Sequence, residues 1–344
     1  MSGIGVAVSG GADSLAALVH FMDQGKTPVA LHALLAPERR PDDDLSSALE
    51  VQCRRLEIEF HILDLRSEFE ALVIESFARQ YREGLTPNPC AACNRDIKLG
   101  LLAHRARTLG LDLLATGHYA RIENGTLFRG FDRTKDQSYF LALVPAEHLA
   151  GARFPLGLTT KSRVRDELSA RGLEPCAHRE SLEVCFVPGD YRSFLESRGH
   201  FLPGPGPIVT VDGRELGRHL GLWRHTLGQR RGLGIAHPKP LYVIDKDVRN
   251  NSLIVGTEEE LWASALTVGN LNLIVPPAKW PARILVQTRY RQGPTLGSFT
   301  LRADARLELK LFEPQHRPTP GQVAAFYDGD RLLGGGLILP AEIP

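Results

Sequence analysis

A C-x-x-C pair, a further cysteine and a glycine turn are the features of this chain best suited to chemistry. Cys90 and Cys93 lie in Thr86-Pro87-Asn88-Pro89-Cys90-Ala91-Ala92-Cys93-Asn94, a loop stiffened by prolines. That spacing suits a redox pair, half of a zinc site or part of an iron–sulfur site. The loop leads into a helix expected from about Cys93 to Leu109. A thiol near a helix start feels the helix dipole, which lowers its pKa and favours the nucleophilic thiolate. No second C-x-x-C exists, so zinc would need Cys185 and either His118 or His178 as further ligands. Cys185, in Glu183-Val184-Cys185-Phe186-Val187-Pro188, reads by itself as a buried apolar cysteine. Cys53 shares a helix face with Leu45 and Leu49 and reads as core, while Cys176 carries no motif.

The glycine turn is Ser9-Gly10-Gly11-Ala12-Asp13-Ser14, at the end of the apolar run from Ile4 to Val8. A helical pattern with Leu15, Leu18, Val19 and Met22 on one face follows at once. A buried parallel strand thus feeds a helix through a turn. Two glycines let the backbone approach a ligand, and the free N–H groups of the helix start attract an anion. Asp13 and Ser14 are expected to cap that start and to reach a phosphate or its magnesium. An ordinary strand–helix junction with an N-cap would use the same residues. Gly25-Lys26-Thr27 mimics the end of a GxxxxGK[ST] loop, but His20 stands where its first glycine belongs. His118, in Ala115-Thr116-Gly117-His118-Tyr119-Ala120-Arg121, follows the C-terminal end of another strand, where ligands of open α/β sheets gather. A satisfied structural histidine is its plainer role.

Strands expected at Val29–Leu35, Phe60–Leu63 and Leu111–Thr116 alternate with helices at Asp43–Arg55 and Phe69–Arg82. Such alternation predicts an α/β domain with a parallel sheet covered on both faces. The pattern changes at Phe201-Leu202-Pro203-Gly204-Pro205-Gly206-Pro207, a linker-like stretch. Beyond it a hairpin is expected at Ile208–Val211 and Arg214–Leu216 around Asp212-Gly213. Leu241–Ile244 and Leu253–Val255 flank a polar turn. Further on, Ile284, Val286, Thr288 and Tyr290 alternate with polar residues, as do Leu307, Leu309 and Leu311, and Asp328-Gly329 signals another hairpin. This predicts an antiparallel sheet or small barrel with one wet face.

At 344 residues the chain is long enough for two or three domains, and 43% apolar content supplies their cores. With 41 basic and 40 acidic residues there is no global nucleic-acid signal. Basic residues concentrate locally, at Arg214, Arg218, His219, Arg224, His225, Arg230 and Arg231, and at Arg283, Arg289 and Arg291. Solvated strand faces would explain them, as would a track for a phosphate backbone. No signal peptide or membrane-spanning run is read, and an odd cysteine count argues for a reducing cytoplasm.

The Ser9–Ser14 wording resembles the SGGxDS signature of the PP-loop ATP-pyrophosphatases, which cleave ATP between the α and β phosphates. The phrases Thr86–Lys98, Ala115–Arg121, Lys135-Asp136-Gln137-Ser138-Tyr139-Phe140-Leu141 and Phe154-Pro155-Leu156-Gly157 extend the match, as do Glu183–Pro188, Thr226–Ile235, Tyr242–Asp247, Arg289-Tyr290-Arg291-Gln292 and Pro320-Gly321-Gln322. Together they resemble the tRNA-specific 2-thiouridylase family of MnmA/TrmU type over nearly the whole length.

That resemblance implies a Rossmann-like PP-loop catalytic domain at 1–198, a central β-rich tRNA-binding domain at 199–260 and a C-terminal β-barrel at 261–344. It implies ATP-dependent 2-thiolation of uridine 34 in tRNA by a tRNA-uridine 2-sulfurtransferase. Ala7, Val8, Ser9, Gly10, Gly11, Ala12, Asp13 and Ser14 would hold ATP with magnesium, helped by Ala33 and Gly117. Asn88, Pro89 and Cys90 would contact the target base. His118, Lys135, Asp136, Gln137, Arg289, Tyr290 and Gln322 would contact tRNA. Cys93 matches the family nucleophile and Cys185 the persulfide carrier. The partners implied are a tRNA with a thiolatable wobble uridine and a sulfur donor, either a persulfide carrier protein or sulfide, with no membrane.

Two residues depart from the family pattern. Cys90 stands where an aspartate is usual, and Ala33 where a methionine near the adenine is common. Three thiols facing one pocket suggest a second expectation, a [4Fe–4S] cluster on Cys90, Cys93 and Cys185 with one iron open to hydrosulfide. Persulfide chemistry with Cys90 as a spare thiol competes with it, and zinc is a weaker third. Two rival functions are a PP-loop synthetase acting on a small molecule and a non-catalytic tRNA-binding relative.

Overall fold

The computed structural model describes residues 3–35, 45–177, 184–199 and 202–341. Asp43, His178, Glu183 and Phe201, named above, lie outside the described residues. The first strands are β1 (Ile4–Ala7), β2 (Val29–Leu34), β3 (Phe60–Asp64) and β4 (Leu113–Ala115). The hairpin of β5 (Ala120–Glu123) and β6 (Thr126–Arg129) follows, then β7 (Ala152–Arg153). The order β3-β2-β1-β4-β7 is parallel throughout. Successive strand residues face opposite sides. Val6, Ala30 and Ala115 pack with Leu18 and Phe21 of α1 (Ala12–Asp23), while Leu31 and Leu114 pack with Phe77, Ile97 and Leu102. Both faces are therefore dry, as near-continuous apolar strands require.

The thiol-bearing loop enters its helix earlier than expected. Helix starts at Pro89, with Asn88 as N-cap accepting a hydrogen bond from Ala91 N at 3.2 Å. Proline at the first helical position loses nothing, because that N–H has no intrahelical partner. From Cys93 to Leu102 the chain winds as a π-helix, then continues as Ala103–Thr108.

Beyond residue 202 the chain is β-rich, as expected. The strands β8 (Gly206–Thr210), β9 (Glu215–His219), β10 (Tyr242–Asp247) and β11 (Ser252–Gly256) form a sheet of order β10-β11-β8-β9. The expected hairpin is β8–β9, turning through Gly213 at φ +87°. The β11–β8 pair is parallel, which local alternation could not reveal. The last strands are β12 (Trp262–Leu273), β13 (Ile284–Gln287), β14 (Thr295–Leu301), β15 (Leu307–His316), β16 (Val323–Asp328) and β17 (Arg331–Ile338). They run β12-β15-β14-β13-β16-β17, and β17 pairs back with β12 to close a barrel. Ile284, Val286, Leu307, Leu309 and Leu311 fill it, as their alternation predicts.

Two differences matter for function. The strand expected through Tyr290 stops at Gln287. There the Gln287 amide donates to the carbonyls of Arg289 (3.2 Å) and Tyr290 (2.9 Å), curling the chain into a turn. The β5–β6 hairpin also leaves the parallel sheet and joins the barrel's strand β17, pairing Phe128 with Arg331. The first and last parts of the chain therefore share one sheet.

Candidate active site

The phosphate-binding candidate lies where the parallel sheet changes direction. From β1 the chain crosses to β2 on one side, and β4 is added on the other. Ligands of open α/β sheets bind at such switch points, beyond the strands' C-terminal ends. The turn after β1 and the loop after β4 meet there, and Ala33, half-buried, sits near the end of β2. Ala7 and Val8 anchor the turn. Val8 N donates to Leu31 O at 2.9 Å, and His32 Nδ1 lies 2.9 Å from Val8 O. Gly10 takes φ +77°, a conformation that favours glycine.

The capping role expected for Asp13 and Ser14 is not what they do. The N-cap is Gly11, with no side-chain cap. Ser14 Oγ reaches back, donating to Gly11 O at 2.9 Å and accepting from Ser9 N at 3.2 Å. It knits the turn shut and leaves the first N–H groups of α1, near Ala12, without a side-chain cap. Asp13 instead accepts from Lys161 Nζ at 2.8 Å on each oxygen and from Tyr119 Oη at 2.8 Å. Gly117 passes so close that a Cβ there would fall 2.8–2.9 Å from Asp13 atoms. Glycine at 117 is thus demanded by the turn itself, whatever the ligand.

The three thiols lie in one region of the α/β unit. Cys90 occupies the first turn of the Asn88-capped helix and is exposed as a residue. Cys93 lies one turn further in and is buried. Cys185 is exposed, contrary to the buried cysteine its neighbours suggested. The reason is local: Val187 N donates to Val184 O at 3.0 Å, closing a turn, and Phe186 inserts among Phe69, Phe77 and Phe194. The aromatic ring goes inward and the thiol outward. A charge on Cys185 would raise both Cys90 and Cys93, so the three are within electrostatic reach of one another.

The expected lowering of the Cys93 pKa is overturned. Burial, partly opposed by the ammonium of Lys98, pushes the thiol up to about 12. With Cys93 inside the helix rather than at its start, desolvation outweighs the dipole. Cys90 is raised as well, by burial of its surroundings. Among the described residues no three His, Cys, Asp or Glu side chains are grouped to hold a metal. The thiols as placed do not fit the expected cluster.

The polar residues divide. Lys135, Asp136 and Gln137 follow the turn at Asp132, and Lys135 N donates to Asp132 O at 3.1 Å. Asp136 is buried and accepts from Gly130 N (2.9 Å) and Ser138 Oγ (2.9 Å), with Arg129 at 3.3 Å. Gln137 Oε1 accepts from Tyr119 N at 3.0 Å. His118 is buried, its Nδ1 2.7 Å from Thr116 Oγ1 and its ring edge-on to Phe154. Burial holds its imidazole well below the usual range, hence neutral, as in the plainer role. Asn88 and buried Pro89 border Cys90, and Gln322 donates to the carbonyls of Thr86 (2.9 Å) and Pro87 (3.0 Å). Arg289 donates to Thr319 Oγ1 at 3.0 Å, and the Tyr290 ring lies tilted against Phe140, with centroids 4.4 Å apart. The basic run is not one exposed track: His219 and His225 are buried, because β9 and the chain after it pack them into the central core.

Lys161, Tyr119 and Lys98 were not singled out from sequence. Lys161 follows the Phe154–Gly157 phrase, yet lies 148 positions from Asp13, so no local spacing could join them.

Three family models cover the chain in succession: the tRNA methyl transferase HUP domain over residues 2–189, the tRNA methyl transferase PRC-barrel domain over 192–257 and the Aminomethyltransferase beta-barrel domain over 263–338. The tRNA-specific 2-thiouridylase MnmA of Nitratidesulfovibrio vulgaris (Miyazaki F) is 49% identical, over 98% of this chain and 99% of that one. The protein of the same name from Oleidesulfovibrio alaskensis is 48% identical over 97% and 98%. That from Chloroflexus aurantiacus J-10-fl is 41% identical over the full length of both. With a switch-point glycine turn, three thiols within electrostatic reach of one another and full-length relatives of that one kind, the chain belongs to the tRNA-specific 2-thiouridylase (MnmA) family.

Proposed function

We propose that the chain is a tRNA-uridine 2-sulfurtransferase that uses ATP to replace the C2 oxygen of wobble uridine 34 with sulfur. The supporting observation is that one α/β unit carries both a phosphate-type turn at the switch point and three thiols within electrostatic reach of one another. Magnesium ATP would lie on Ser9–Ser14, the metal on Asp13, whose carboxylate is about one-third exposed. The metal would supply charge neutralisation, and the backbone amides of the turn would receive the departing pyrophosphate.

The C2 oxygen attacks the α phosphorus, forming an O–P bond as pyrophosphate leaves. The terminal sulfur of a Cys185 persulfide then attacks C2, and the oxygen departs with AMP. Cys93 attacks the Cys185 sulfur, giving a Cys93–Cys185 disulfide and freeing 2-thiouridine; an external thiol restores both cysteines. The base must leave the anticodon stack to reach this pocket. Asn88, Pro89 and Cys90 border it, while Lys135, Gln137, Arg289, Tyr290 and Gln322 serve the tRNA side; His118 and Asp136, both buried, shape that side from within. Phosphate contacts there would fix position without reading sequence. The division into 1–198, 199–260 and 261–344 follows, as does a cytoplasmic setting where thiols stay reduced. A persulfide carrier protein would load reduced Cys185 by passing on its terminal sulfur, its own cysteine leaving as a thiol; sulfide would load it only by attacking the Cys185 sulfur of the Cys93–Cys185 disulfide, with Cys93 leaving as thiolate.

Nucleoside mass analysis of a tRNA transcript incubated with protein, ATP and a persulfide-bearing carrier protein tests this. 2-Thiouridine at position 34 is expected, and its absence together with tRNA-independent pyrophosphate release would favour a small-molecule synthetase. Asp13→Ala should abolish pyrophosphate release while leaving tRNA affinity within about twofold; retained release would remove Asp13 from the chemistry. Iron analysis and assay of Cys90→Asp check the thiol assignment. Iron-free active protein and an active variant are expected for the persulfide route.

A further inference from the structure

Asp13 is held by two residues that each lead to the same distant segment. Lys161 binds it through Nζ at 2.8 Å to both carboxylate oxygens, and this lysine is buried. Its backbone N–H donates to Asp132 Oδ2 at 3.1 Å, and Thr160 caps the helix Lys161–Ala170 that it opens. Asp132 also accepts from Thr134 N at 3.1 Å and shapes the turn leading to Lys135. On the other side, Tyr119 Oη donates to Asp13 at 2.8 Å. Tyr119 is tied to Gln137 twice: its N–H donates to Gln137 Oε1 at 3.0 Å, and its carbonyl accepts from Gln137 N at 2.9 Å. Segment 132–137 thus grips the phosphate-site carboxylate from two directions, through side chains that lie largely inside the protein.

We propose that Lys161 and Tyr119 are positioning residues that couple RNA engagement at segment 132–137 to the availability of Asp13 for nucleotide. This rests on the proposed contact of Lys135 and Gln137 with tRNA. A lysine on both carboxylate oxygens competes with any metal that ATP brings. Displacing the 132–137 turn moves the lysine's backbone anchor and the tyrosine's amide partner together, and either movement loosens the grip on Asp13. tRNA binding then makes the carboxylate available, and ATP does not turn over idly without it. Coupling of this kind is reciprocal: if tRNA tightens nucleotide binding, nucleotide tightens tRNA binding by the same factor.

The experiment measures dissociation constants of α,β-methylene ATP with and without saturating tRNA transcript, and of the transcript with and without saturating analogue. In the unaltered protein each ligand should tighten the other by at least about fivefold, a typical coupling strength. Tyr119→Phe keeps the buried ring and removes only the hydroxyl; it should cut the factor to within about twofold of one, as should Lys161→Gln. Because the coupling factor is a ratio, a direct effect of either change on nucleotide affinity cancels. Arg171→Ala, at an exposed pair with Asp23, should leave the factor unchanged. A coupling factor of one in the unaltered protein, with both ligands bound, overturns the relay and leaves the thiolation reading intact. Full coupling in both Tyr119→Phe and Lys161→Gln, with unchanged melting temperatures, overturns it as well. Failure of the transcript to bind at all overturns both.

Discussion

Cys93 sits where burial and a nearby cation oppose each other, and burial wins. Its thiol is pushed up to about 12, Cys90 is raised, and Cys185 is exposed. Alkylation proceeds through the thiolate, so labelling rate follows its fraction. With iodoacetamide at pH 8, peptide mapping should find Cys185 modified first and Cys93 at least about tenfold more slowly, since each unit of pKa costs a factor of ten in thiolate. The Cys93 rate should keep rising about tenfold per pH unit well above 9, while the protein stays folded. Equal rates for Cys93 and Cys185 at pH 8 would refute the burial. The motif Cys90-x-x-Cys93 and the turn Ser9–Ser14 were legible in the sequence because their meaning is local. The protonation state of Cys93 was not, because it depends on the helix starting at Pro89 and on side chains distant in sequence. The same is true of Lys161, which only the tertiary fold brings to Asp13.

Strand β10 carries a different tension. Lys246 points inward, is buried, and its Nζ has no hydrogen-bond partner among the described residues. Burial lowers its pKa to about 7, with Asp245 pulling the other way. His225, close to it and to His219, is lowered to about 4, burial again being the first cause. A lysine whose folded-state pKa is depressed destabilises most when both states are charged, below pH 7. The penalty fades as pH rises from about 7 towards the unfolded value near 10.5, because the folded state sheds its proton first. Lys246→Met should therefore raise stability by roughly 1–3 kcal/mol at pH 6, with the gain shrinking through pH 9. Thermal or urea unfolding across that range checks both sign and window. A gain independent of pH would mean that packing, not charge, limits this strand. Leu241–Ile244 was legible as an apolar strand flanking a polar turn, whereas the extension to Asp247 and the inward lysine were not, because they depend on which face the neighbouring parts cover.

At the scale of the whole molecule, the barrel does more than extend the chain. It takes the hairpin β5–β6 onto β17, and Asn272 donates to the carbonyls of Ala142 (2.9 Å) and Val144 (2.8 Å). Its loop at 319–322 also presses on the back of the thiol-bearing loop. Thr86 N donates to Pro320 O at 2.9 Å, and the Gln322 amide spans the carbonyls of Thr86 and Pro87. Gly321, at φ +89°, passes where a Cβ would fall 3.0 Å from Leu85 and Thr86. The two carbonyls immediately precede Asn88, whose side chain starts the helix holding Cys90 and Cys93. Gln322→Ala leaves both without their side-chain donor, at a cost of about 1–3 kcal/mol in stability. It should also lower the rate of sulfur transfer, since small displacements of a reacting group slow catalysis steeply. Nucleotide affinity should stay within about twofold, because Ser9–Ser14 is built on β1 and α1, away from this contact. If Gln322 acts only by touching tRNA, the same variant will raise the tRNA dissociation constant and leave the melting temperature alone. Hydrogen exchange separates the two: faster exchange at the Ala91 amide, which Asn88 caps, is expected for a clamp, and unchanged exchange there would assign Gln322 to RNA alone.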